Sequence, residues 1–141
     1  METPSWTCPL CGKAFAKENQ SHQCVRTSVE EVFEGKAHLL PLYEHLLSRL
    51  DLPGEFTVTT SRKAVTLYAK NKKAFLVIEP KKAFLDVWFL LDRKIEDFPV
   101  YKTLQPSKTR FANFMRLYEP SDADRLVLGL IRKGYDFITG N

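Results

Sequence analysis

Cysteine is scarce in this chain: there are three among 141 residues, and all three lie before position 25. An odd number cannot pair off completely as disulfides, and none remains further along to staple the rest. Long apolar runs are also missing. No stretch approaches the roughly 20 residues needed to cross a bilayer, and Met1-Glu2-Thr3-Pro4 lacks the charged and apolar regions of a signal peptide. A cytoplasmic protein without a membrane partner is therefore expected. Glycine is infrequent, at six residues, and no Gly-rich phosphate loop occurs. Internal repeats and low-complexity tracts are lacking too.

What is present suits one globular domain with a small appendage: 44% apolar and 27% charged residues. At this length folding buries roughly two thirds of the extended chain's surface, so the larger part needs no staple. The net charge of +4 is unevenly placed, since residues 61–110 hold 12 basic and 5 acidic side chains. A local positive field of this kind attracts phosphates, although interspersed lysines also protect sheet edges.

The three cysteines fall into a Cys-x2-Cys-x10-His-x-Cys arrangement of Cys8, Cys11, His22 and Cys24. Sulfur and nitrogen ligands at such spacing form the closed tetrahedral cage of a structural zinc site, and four protein ligands leave no open position for catalysis. One structural zinc is the expected cofactor, in a knuckle spanning residues 1–27. With the cysteines engaged as ligands, no thiol is left as a nucleophile. The opening Cys8-Pro9-Leu10-Cys11-Gly12-Lys13-Ala14-Phe15 looks like the first half of a Cys-Cys-His-His finger. His22 and Cys24, two apart, face nearly opposite sides of any helix. The usual recognition helix is therefore removed, and with it major-groove reading by this module.

Behind the knuckle, residues 28–141 read as an α+β domain. Ser28 and Glu31 have capping-box spacing for a short helix ended by Gly35. Leu39, Leu42, Tyr43, Leu46, Leu47 and Leu50 repeat at helical spacing over residues 38–50, with Pro41 tolerated in the first turn and Pro53-Gly54 as the stop. The period then changes to two. Strands are expected at residues 56–60, 64–70, 74–79 and 83–91, joined by short gaps that suit antiparallel hairpins. Residues 97–107, with Pro99 and Pro106, read as a loop or a broken edge segment. A strand follows over residues 111–118 and a final helix over residues 122–138, for which Ser121 and Asp124 match a capping box and Gly140 a stop. The result is an antiparallel β-meander packed by helices on one face.

Alternation sorts the strands into two faces. Val65, Leu67, Ala69, Leu85, Val87, Phe89 and Leu91 make a plain apolar face. The other carries Thr66, Tyr68, Lys70, Phe84, Asp86, Trp88, Phe114, Arg116 and Tyr118. Aromatics interleaved with cations on a sheet stack bases and hold phosphates. The candidate residues for a nucleic acid or another partner are Tyr68, Lys70, Lys72, Lys73, Trp88 and Arg116. The alternative is a protein-interaction or scaffold module in which that face is covered by another chain or by the knuckle. A third reading, a metal-dependent nuclease-like enzyme, rests on Glu79-Pro80-Lys81 alone, so the expectation is a non-enzymatic binding module.

Taken with Ser21-His22-Gln23-Cys24 and Val29-Glu30-Glu31-Val32-Phe33-Glu34-Gly35-Lys36, the Cys8 to Phe15 segment resembles members of the family domain of unknown function 5655. The resemblance implies a Cys-Cys-His-Cys segment before a compact α+β domain. It carries over Cys8, Cys11, His22 and Cys24 as metal ligands and nothing catalytic.

Overall fold

The computed structural model describes residues 28–140, together with two short N-terminal strands, β1 (Trp6–Thr7) and β2 (Ala14–Phe15), which pair antiparallel. Ser28 caps α1 (Val29–Val32) through the expected capping box, its hydroxyl accepting from the Glu31 N–H while Glu31 accepts from the Ser28 N–H. Gly35 then takes φ +77°, a left-handed conformation that ends the turn without a Cβ penalty. A 3₁₀ turn (Ala37–Leu39) leads into α2 (Leu40–Arg49), where Pro41 sits in the first turn and no intrahelical N–H is lost.

Six strands form one antiparallel sheet: β3 (Phe56–Thr60), β4 (Val65–Ala69), β5 (Ala74–Pro80), β6 (Leu85–Leu91), β7 (Val100–Ser107) and β8 (Arg110–Leu117). The spatial order is β3-β4-β5-β6-β8-β7. The first four strands are a meander as expected, but β8 inserts between β6 and β7. Of residues 97–107, expected as a loop or a broken edge segment, 100–107 are thus an edge strand, paired with β8 and interrupted by register shifts. An edge is where proline is tolerated, and Pro106 falls within a register shift between Leu104 and Ser107.

The last helix, α3 (Arg125–Thr139), starts later than its predicted cap. Asp124 is the N-cap, accepting from the Val127 N–H, while Asp122 closes a separate 3₁₀ turn (Pro120–Asp122) with Glu119. Gly140 provides the left-handed C-cap.

All three helices join one core with the same sheet face. Phe33, Leu46, Val65, Leu67, Ile78, Leu85, Val87, Met115 and Ile131 are fully buried in it. Each such side chain contributes roughly 1.5–3 kcal/mol on burial. A bulge opposite Leu67 and Tyr68 turns Phe75 inward as well, where its ring packs edge-on against Tyr135 at 5.0 Å. The helices therefore occupy one side of the sheet and, among the described residues, leave the other without a helix.

Candidate functional site

On that other side the register aligns Val77, Trp88 and Phe114 across β5, β6 and β8, with Lys102 beyond them on β7. A second row holds Glu79, Asp86 and Arg116. Phe84 and Tyr118 meet one step further along, with ring centroids 5.2 Å apart. Residues directly opposed in a ladder share a face, so these side chains form one outer surface. Phe114 is buried yet stands outside the helix-side core. Trp88 lies against it at 4.9 Å with planes 32° apart, and Lys102 Nζ sits 4.4 Å over its ring.

A bulge between Val100 and Lys102 lets Tyr101 face this surface too. Its side chain reaches over β8, and the phenol donates a hydrogen bond of 2.8 Å to Asp86 Oδ1. The Tyr101 ring lies 4.1 Å from the Arg116 guanidinium carbon, which is 4.8 Å from the Phe84 ring. Arg116 is thus held between two aromatic faces, a favourable place for a weakly hydrated planar cation. Asp86 is only 7% exposed. A buried carboxylate needs a hydrogen bond and a nearby cation, and Tyr101 and Arg116 provide them. Burial first, and the bond to Asp86 second, push the Tyr101 phenol above its ordinary value of 10.0.

Of the six predicted binding residues, only Trp88 and Arg116 come together here. Tyr68, Lys70 and Lys72 border a different hollow of about 790 Å³, with Asp51, Glu55 and Phe56 on its other side. Tyr68 shares the outer face with Trp88, but two strand spacings and one pleat put it about 12 Å away. Lys73 is exposed in the turn between β4 and β5. Sequence reasoning missed Tyr101 and Lys102, because two prolines outweighed the strand-forming run Val100-Tyr101-Lys102-Thr103-Leu104.

Glu79 and Asp86 oppose each other across β5 and β6, so the structure supplies an acidic neighbour for Glu79-Pro80-Lys81. Lys81 Nζ bonds Glu79 at 2.9 Å. That bond raises the lysine pKa and favours its charged form, the opposite of what a lysine acting as a base requires.

The zinc ligands Cys8, Cys11, His22 and Cys24 lie outside the described residues. Among the described residues no helix is long and apolar enough to cross a membrane.

Compared with known proteins, residues 29–138 match the family model described as Domain of unknown function (DUF5655). No curated protein and no solved structure matches the chain.

Proposed function

The chain belongs to the DUF5655 family, whose description assigns no activity, and from that premise we propose that it is a non-enzymatic binding module that takes single-stranded nucleic acid on the outer face of its sheet. One observation carries the reading: Trp88, Tyr101, Phe84 and Tyr118, with the buried Phe114 beneath Trp88, are interleaved on one surface with Lys102 and Arg116. Unpaired bases stack on such rings with about 1–3 kcal/mol per base, irrespective of sequence. Adjacent cations hold the phosphates that follow.

Stacking Arg116 between rings fixes its plane, and the N–H groups that Tyr101 and Tyr118 do not engage are the ones that would meet phosphate oxygens. Exposed aromatics on a sheet suit splayed bases, whereas a duplex hides its base faces. One zinc held by Cys8, Cys11, His22 and Cys24 would supply a cross-link within the N-terminal segment and take no part in binding chemistry. Three thiols kept as metal ligands favour a reducing compartment such as the cytoplasm.

The test is fluorescence anisotropy with labelled single-stranded and duplex oligonucleotides at two ionic strengths. Preferential binding of the single strand that weakens steeply with salt is expected. Absence of binding in low salt overturns the proposal.

A protein partner is a second reading, favoured by the exposure of Phe98 (83%) and Leu104 (53%) beside and along the β7 edge. Light scattering that gives one monomeric mass for the wild type and for Leu104→Asp would remove self-association as that partner.

A further inference from the structure

Antiparallel order brings residues 61–64, between β3 and β4, and residues 81–84, between β5 and β6, to the same end of the sheet. Lys36, which follows Gly35, arrives there as well. Lys36, Arg62, Lys63, Lys81 and Lys82 border one cleft of about 270 Å³, with Val32, Glu79 and Pro80 completing its lining.

Glu79 is the only acid in that lining, and it is already bonded to Lys81 at 2.9 Å. Among the described residues Lys36, Arg62, Lys63 and Lys82 make no ion pair. Four unneutralised cations from three separate segments around one small hollow repel one another, and a bound anion turns that repulsion into attraction. The loop is also anchored rather than free: His38 Nε2 donates to the Lys82 carbonyl at 2.8 Å, and the Lys81 N–H bonds the Phe84 carbonyl at 2.8 Å.

The cleft is continuous with the aromatic surface. Glu79 lines it and stands in register with Asp86 in the middle of that surface, while the Lys81 turn leads directly to Phe84. A strand lying on the outer face therefore meets the cleft where the face ends. An internal phosphodiester brings a single negative charge, whereas a phosphomonoester brings about −1.5 to −2 and three acceptor oxygens. Four cations match the second better, and Arg62 adds a planar fork suited to phosphate.

We propose that this cleft binds the terminal phosphate of a nucleic-acid strand whose bases stack on the outer face, an inference that rests on the reading above. The strand then lies in one direction, with its phosphorylated end at the hairpin turns.

Full-length protein is titrated with one oligonucleotide sequence in three forms: 5′-phosphate, 3′-phosphate and hydroxyl at both ends. One phosphorylated form should bind about tenfold more tightly than the hydroxyl form. The gain should disappear in the double variant Lys63→Gln, Lys82→Gln, whose two side chains are exposed and outside the core. Equal affinity for all three forms overturns the inference and leaves stacking on the face standing. A gain that persists in the double variant puts the phosphate elsewhere and overturns it too. If no form binds, both readings fall, whether or not inorganic phosphate raises the melting temperature.

Discussion

Asn113→Ala should be among the most damaging polar substitutions in the domain. Asn113 is fully buried on β8, and its amide is a four-way junction. The oxygen accepts from the Ile95 N–H at 2.9 Å and from the Thr103 hydroxyl at 3.0 Å; the nitrogen donates to the Arg93 carbonyl at 3.2 Å and to the Phe111 carbonyl at 3.4 Å. Two of these partners, Arg93 and Ile95, belong to the segment that leads into β7. Each part-buried group left without a partner costs about 1–3 kcal/mol. Water entering the vacated space recovers some of that, so a loss of about 3 kcal/mol is expected. For a domain of this size that corresponds to roughly 10 °C in melting temperature. Thermal denaturation followed by circular dichroism measures the drop, and amide exchange at Ile95 should quicken. A loss below about 1 kcal/mol with Ile95 still protected would refute the account of this junction.

Alkaline pH should destabilise the fold through its raised tyrosines. Tyr101 and Tyr43 both titrate above their ordinary 10.0 because of burial first. The unfolded chain releases these protons near that value while the folded chain retains them, so their contribution is complete below pH 10 and is lost as pH rises through the folded values. Lys81, raised by Glu79, acts in the same direction. Denaturant midpoints should fall less steeply above pH 10 in Tyr101→Phe; an unchanged slope would contradict this. In α3, a Cβ at Gly134 would meet the Phe89 side chain at 3.0 and 3.1 Å, whereas Gly129 has nothing within 4 Å. Gly134→Ala should cost about 1–3 kcal/mol, and Gly129→Ala should add about 0.5–1 kcal/mol from helix propensity; equal effects would discredit the packing of α3 on β6. Metal analysis should find one zinc per chain, lost in Cys11→Ser, with the melting of residues 28–140 retained. Zinc-free wild type purified with zinc present would remove the staple.

Local rules made most of the fold legible in the sequence. The Ser28 capping box, the helical spacing of Leu42, Tyr43 and Leu46, and the strict alternation of Val65, Leu67, Leu85, Val87 and Phe89 each specify an element and its buried side. The errors came from features that depend on tertiary context. Pro106 is poor in a central strand but acceptable on an edge, and local signals left residues 97–107 open between a loop and a broken edge segment without saying which. With β7 unassigned, Tyr101 and Lys102 were lost from the candidate surface, and the buried Asp86 lacked its hydrogen-bond donor. Charge counting found the basic middle of the chain without resolving its ends. Lys70, Lys72 and Lys73 lie at one end of the hairpins, while Arg62, Lys63, Lys81 and Lys82 gather at the other, a division set by strand order.

The stacking surface itself is tested most directly by the affinity of Trp88→Ala for a single-stranded oligonucleotide, compared with wild type at the same low salt and with melting recorded for both. Loss of one stacking platform predicts weakening by about 1–3 kcal/mol, roughly fivefold to more than a hundredfold, in a protein that still melts cooperatively. Wild-type affinity in a folded Trp88→Ala variant would contradict the assignment of this face.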